Sequence, residues 1–179
     1  VASMVGYRAR DIPDGIHLGM PSATLTFIVS LDDGIESADS AAALGDARPN
    51  PLVLGGLHTR APHIRQRPGQ AGVQLAVHPL ASRALFGMPS AELPVTDFQG
   101  LEILGDAVAG LPERTARQRR WSDAFDTVAI YLAESRRQRS AYSQSLWRWL
   151  IAAISFRGTP FSRAWSRHRR MSSRRPMRP

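Results

Sequence analysis

Residues 22–31 place Leu25, Phe27, Val29 and Leu31 on one side and mostly hydroxyl-bearing residues on the other. A period of two with β-branched members predicts a strand. Asp32-Asp33-Gly34 ends it as a turn, and the Ala/Ser/Asp-rich stretch up to Pro51 reads as a mobile loop. Residues 52–57 are a short apolar run broken by Gly55-Gly56, where a bulge or a close backbone approach is expected. A further extended piece is expected over 60–66. The clearest strand is 71–78, where Ala71, Val73, Leu75 and Val77 alternate with Gly72, Gln74, Ala76 and His78.

The period then changes. Pro79 suits the first turn of a short helix carrying Leu80, Ala84 and Leu85, which Gly87 closes. A second helix is expected from an Asp97 cap through Leu101, Leu104 and Val108 to Gly110. A stronger one carries Trp121, Phe125, Val128, Ala129 and Leu132, the i, i+4, i+7, i+8, i+11 stripe of an amphipathic helix. Strands first and helices afterwards, without βαβ alternation, predict an α+β arrangement.

Past this point a helix face recurs at Leu146, Trp149, Leu150, Ala153 and Ile154. Arg157-Gly158-Thr159-Pro160 supplies a turn with an N-cap and a first-turn proline, and Phe161, Ala164, Trp165 and His168 form another apolar stripe. Arg163, Arg167, Arg170 and Arg174 line the opposite side of that last helix. Two short helices around a turn, the second basic on its exposed face, is the pattern a helix-turn-helix requires. The Ser/Arg/Pro string after Met171 reads as disordered.

Charge sharpens the division. The 179 residues carry a net charge of +8, and all 23 basic residues are arginine. Residues 1–134 hold 11 arginines and all 15 acids, a net −4, whereas residues 135–179 hold 12 arginines and no acid, a net +12. Two parts are therefore expected, 1–134 and an arginine-rich 135–179. The 43% hydrophobic content suffices for a core, and the absence of cysteine excludes disulfides, thiolate metal sites and a thiol nucleophile. No apolar run reaches the roughly 18 residues of a membrane span, and the N-terminal residues lack a secretory pattern, so a soluble cytoplasmic protein without membrane association is expected.

Signs of catalysis are few. Gly55-Gly56 is not set in a phosphate-binding glycine motif, and no serine lies in a Gly-x-Ser-x-Gly elbow. His17, His58, His63 and His78 could be ligands of a metal-binding β-barrel, but no acid lies between Asp46 and Glu92 to complete such a set; histidines bonded to backbone are the plainer reading. Asp32-Asp33 reads as a turn rather than an acid/base pair. Thr26 and Gln74 alternate with core residues and so face away from the main apolar stripe. They would line a small-molecule cavity in a sheet curled into a barrel, or face solvent in an open one.

The motifs Gly6-Tyr7-Arg8, Gly15-x-His17-x-Gly19-x-Pro21-Ser22 and the strand ending Leu31-Asp32 resemble the start of an actinobacterial subgroup of AraC-type (AraC/XylS) transcription regulators. Gly55-Gly56-Leu57-His58-Thr59, Gly72-Val73-Gln74-Leu75, Pro79-Leu80, Ala84-Leu85-Phe86-Gly87-x-Pro89 and the helix with Trp121 and Phe125 continue the resemblance over nearly all of 5–134. It implies a sensing and dimerisation domain with a cupin-like antiparallel β-barrel or jelly roll followed by helices, and then a module of two helix-turn-helix units. Leu146-Trp147-Arg148 and Trp165-Ser166-Arg167-x-Arg169 are similar to parts of that module, yet the 45 residues after Glu134 are too few for both units. A truncated or frame-disrupted module fits this. An out-of-frame extension of a GC-rich gene would have the same Arg, Ser, Pro and Trp bias.

The expectation is thus an AraC-type regulator without enzymatic activity or cofactor. Thr26, His58 and Gln74 would bind an unknown small-molecule effector, and Arg163, Arg167, Arg170 and Arg174 would contact DNA weakly, chiefly through phosphates. A homodimer is implied. The alternatives are a stand-alone ligand-sensing or dimerisation domain without specific DNA binding and, ranked lowest, a metal-dependent cupin-like enzyme.

Overall fold

The computed structural model describes residues 1–94, 100–141 and 145. The chain divides into two units, Val1–Arg139 and Ser140–Pro179. In the second, the Ser145 hydroxyl donates to the Ala141 carbonyl at 2.9 Å, a bond along one helical turn. The helices expected around Leu146–Ile154 and Phe161–His168, and Asp97, the expected cap of an earlier helix, lie outside the described residues.

Seven strands come first: β1 (Ser3–Arg8), β2 (Gly15–Leu18), β3 (Leu25–Ser30), β4 (Ser37–Ala38), β5 (Leu52–Gly55), β6 (His63–Gln66) and β7 (Ala71–Val77). They form a four-stranded sheet of order β1-β7-β3-β5 and a three-stranded sheet of order β2-β6-β4, with every pair antiparallel. The fold is α+β as the sequence predicts. Among the described residues the strands make two sheets and not one closed barrel.

The alternation in β3 and β7 decides which face of the larger sheet is covered. Leu25, Phe27 and Val29 and, across the register, Val77, Leu75 and Val73 are all inaccessible to solvent. They join one core with Leu85, Phe86, Leu104, Val108, Leu111, Val128 and Leu132 from the helical part. Burying each large apolar side chain contributes roughly 1.5–3 kcal/mol, so this layer dominates the unit's stability. At its centre the Phe27 and Phe86 rings lie 5.5 Å apart, tilted by 37°.

The covering helices are short until the last. After a 3-10 turn at Pro79–Ala81, α1 (Ser82–Phe86) ends on Gly87, whose φ of 85° gives the left-handed C-cap that glycine adopts without strain. α2 (Gly100–Leu104) passes through a 3-10 turn to α3 (Leu111–Ala116), and α4 covers 121–141.

Three expectations need correcting. The stretch between Gly34 and Pro51 is not a featureless loop: it holds the Ile35–Asn50 bridge, β4 and a 3-10 turn. Its anchor is Glu36, only 8% exposed and ion-paired to Arg65 and Arg67, while Arg65 Nη2 also donates to the Leu44 carbonyl at 2.9 Å. Small, polar composition hid an ion-pair clamp that depends on residues some thirty positions downstream. Second, α4 keeps the expected Val128 and Leu132 in the core with Phe125 packed against it, but its buried side is broader on one flank and narrower on the other. Ala124, Val128, Tyr131, Leu132 and Ser135 are buried, while Ala129 is exposed and Trp121 is 39% exposed. A tyrosine ring outweighs an alanine methyl in choosing the buried side. Third, Leu80 is 88% exposed, and Leu85 and Phe86 bury α1 in its place.

Glu134, where the charge changes sign, lies within α4, and the buried Ser135 hydroxyl donates to the Leu85 carbonyl at 2.9 Å. Asp32 is a structural acid. Its carboxylate accepts the Gly34 N–H at 3.2 Å and the Ala71 N–H at 2.7 Å, tying the end of β3 to the start of β7.

Phe86→Ala should lower unfolding free energy by about 3–5 kcal/mol, whereas Ala129→Ser should stay within about 0.5 kcal/mol of the parent chain. Urea unfolding followed by circular dichroism checks both; a large loss from Ala129→Ser would restore the originally expected stripe.

Candidate functional site

The face of the larger sheet away from the helices carries the other half of the alternation. Its rows, read across the register from β1 through β7 to β3 and β5, are Val5–Gln74–Ile28–Val53 and Ser3–Ala76–Thr26–Gly55, with Tyr7 opposite Gly72 and Gly72 opposite Ser30. Gly72, Ala76 and Gly55 contribute almost no side chain. On this face lies a cleft of about 440 Å³, lined by both sheets and large enough for a small organic molecule.

Thr26, His58 and Gln74, the three residues expected at a ligand site, all line this cleft. Thr26 comes from β3, Gln74 from β7, and His58 from the segment after β5, with its Nδ1 3.3 Å from the Gly56 carbonyl. The backbone approach expected at Gly55-Gly56 is real. A Cβ on Gly56 would sit 2.8 Å from the Leu93 carbonyl oxygen, and the Gly56 N–H donates to the Pro94 carbonyl at 2.7 Å.

The sequence reading missed Tyr7 as a site residue. Its ring lies over Gly72, where an added Cβ would meet the Tyr7 hydroxyl oxygen at 2.6 Å, so this glycine is required by contact. The available signal was a tyrosine on a two-residue period with Val5, on the side opposite Met4 and Gly6. Burial, and secondarily the charge of Asp32, push the Tyr7 hydroxyl up to about 12, which makes it a proton-bearing donor across the neutral range.

His17 of β2 lines the same cleft, and burial lowers its pKa, keeping the ring neutral at neutral pH. Tyr7, His17, Thr26 and Gln74 make no side-chain hydrogen bonds to other described residues, so their polar atoms are open to a ligand. Gln70, also on the wall, is committed: its amide donates to the Arg65 carbonyl and accepts the Arg67 N–H. Ile28, Val53 and Ile64 provide apolar wall, and the lining includes no Asp, Glu or Arg.

Of the other histidines, His78 accepts the Leu80 N–H at 3.2 Å as a cap, and His63 is not in the cleft wall. Among the described residues no three His, Asp or Glu side chains gather as a metal site would need. Among them, too, no helix is long and apolar enough to cross a membrane. Arg163, Arg167, Arg170 and Arg174 lie outside the described residues. No family model, no curated protein and no solved structure matches the chain.

The Tyr7 shift carries a sign. Because the folded state holds this proton more tightly than the unfolded chain does, the contribution is complete below the ordinary value of 10 and is lost as pH rises through about 12. The difference in stability between parent and Tyr7→Phe should therefore shrink by about 2–3 kcal/mol over that window, measured by urea unfolding at stepped alkaline pH.

Proposed function

We propose that the chain is an effector-responsive transcription regulator of the AraC type, whose first 134 residues form a cupin-like sensing and dimerisation domain and whose arginine-rich remainder contacts DNA. The observation that carries the reading is the cleft between the sheets, where Tyr7, His17, Thr26 and Gln74 present polar side chains with no hydrogen-bond partner among the described residues against an apolar wall. Polar groups not engaged by the protein can exchange their bonds to water for bonds to a ligand, so the arrangement suits binding. The motifs of residues 5–134 support the family, and the two antiparallel sheets are consistent with a cupin-like jelly roll left open on one side.

The chemistry of the wall defines the effector class. With no charged side chain in the lining, a carboxylate or ammonium would lose hydration without gaining a counter-charge. The effector is an uncharged amphipathic molecule: its hydroxyl or carbonyl meets the Tyr7 donor and the Gln74 amide, and its body rests on Ile28, Val53 and Ile64. The same groups give no nucleophile with an adjacent base oriented by a third group, so the role is binding, not catalysis.

DNA contact rests on the net +12 of residues 135–179 and is mainly to phosphates, because such charge attracts a polyanion whatever its sequence.

An uncharged environment-sensitive dye, N-phenyl-1-naphthylamine, should bind the full chain with enhanced fluorescence, and Thr26→Phe, which fills the floor between Ala76 and Gly55, should cut its affinity at least about tenfold, a loss of about 1.4 kcal/mol. Unchanged dye binding in that variant would remove the cleft from the function.

Fluorescence anisotropy with duplex DNA should show log affinity falling against log salt by about 0.9 per neutralised phosphate. Replacing Arg163, Arg167, Arg170 and Arg174 with glutamine should flatten the slope. A strong preference for one duplex sequence would contradict phosphate-dominated contact, and salt-independent binding would exclude it.

A further inference from the structure

A second recess lies on the first unit, away from the cleft. Its volume is about 300 Å³, and its walls come from Arg8 at the end of β1, Arg10 just beyond, and the segment Gln118, Arg119, Arg120 and Trp121 leading into α4. Four arginines from two separate parts of the chain therefore line one concavity, and no acidic residue is in its lining. Arg120 is spoken for, since its Nε and Nη2 each lie 3.2 Å from an oxygen of Asp123. Arg8, Arg10 and Arg119 make no ion pair or side-chain hydrogen bond with any described residue.

This concentration is unusual for its surroundings. Residues 1–134 carry more acids than arginines, and Arg65 and Arg67, elsewhere in the unit, are held by Glu36. Like charges brought together without a counter-ion repel, and a multivalent anion relieves several repulsions at once. Guanidinium forks also match the oxygen geometry of phosphate, giving paired charge-assisted hydrogen bonds. The recess is too small for a macromolecular groove, and Leu31 and the Trp121 indole give it an apolar side.

We propose that this recess binds a small phosphorylated ligand, a phosphate monoester or diphosphate, through Arg8, Arg10 and Arg119. The site is independent of the cleft. The cleft, with no charged side chain in its lining, suits uncharged molecules, while this recess requires multiple negative charge. Arg120 contributes less, its charge being largely answered by Asp123.

Pyrophosphate is the probe, used with the full chain. Millimolar pyrophosphate should raise the melting temperature by about 3 °C over sodium chloride at equal ionic strength. In Arg10→Gln/Arg119→Gln the rise should vanish, and in the single Arg119→Gln it should be reduced. The charge-matched control Arg48→Gln/Arg60→Gln, which alters exposed arginines elsewhere, should keep the full rise. Arg119→Glu should melt higher than the parent without ligand, because it relieves the repulsion, and should show no response to pyrophosphate.

No rise above the chloride control, or an equal loss of the rise in the control variant, would overturn the proposal and leave only general charge screening. Loss of duplex DNA affinity in Arg10→Gln/Arg119→Gln without any pyrophosphate response would also overturn it, and would assign these arginines to nucleic acid. Failure of dye binding in the cleft has no bearing on this result, so the two sites are tested separately.

Discussion

The pairing of β3 with β7 is the constraint from which the first unit follows. Both strands alternate strictly, and their register sets Leu25, Phe27 and Val29 beside Val77, Leu75 and Val73 on one face. A slip of one residue would turn these apolar side chains away from the helices and bring Thr26, Ile28 and Gln74 toward them, leaving polar groups buried. Because that alternative is so costly, the register is fixed, and with it the identity of the opposite face. The cleft is thus a consequence of the core: residues at the positions that do not pack on helices are free to be small or polar, and here they are both.

The smaller sheet is held by different means. It has little apolar packing of its own, with Ile35 and Val53 forming a minor cluster against Ile28 and Ile64. Glu36 compensates, reaching Arg65 and Arg67 while the Arg65 N–H donates to its main-chain carbonyl at 3.0 Å. A carboxylate so thoroughly withdrawn from water is tolerable only with both partners present, and breaking one of them leaves a poorly solvated charge. Polar clamping lets the two sheets face each other without filling the space between, which a layer of leucines would have closed.

Where pattern alone determined structure, the sequence was readable: β3, β7, the glycine stop at Gly87 and the polar side of the central strands all follow from periodicity. Thr26 and Gln74 were placed on the correct face by that rule. What it lacked was a way to choose between solvent and cavity on that face, because the choice depends on a second sheet whose strands are short and weakly patterned. β2, with only four residues, all exposed, carries no burial signal. Tyr7 was hidden for a similar reason, since its role comes from a glycine sixty-odd positions away. The loop after Gly34 misled because its anchor is an ion pair, which has no periodicity.

The two faces of the larger sheet are nevertheless only one residue apart in β1. Tyr7 lines the cleft over Gly72, and its neighbour Gly6 supports the Trp121 indole, whose ring an added Cβ would strike. Adjacent strand residues face opposite sides by geometry, so this is the shortest covalent link between the cleft wall and the beginning of α4. Contact alone transmits nothing. A ligand shifts the position of α4 only by the difference in its affinity for two arrangements of Tyr7, and equal affinity for both would leave the helix where it is. The small residue at position 6 makes such a difference hard to absorb: with no side chain between backbone and indole, a displacement of β1 meets the ring directly, and the partly exposed ring answers it by moving toward solvent, carrying the start of α4 with it.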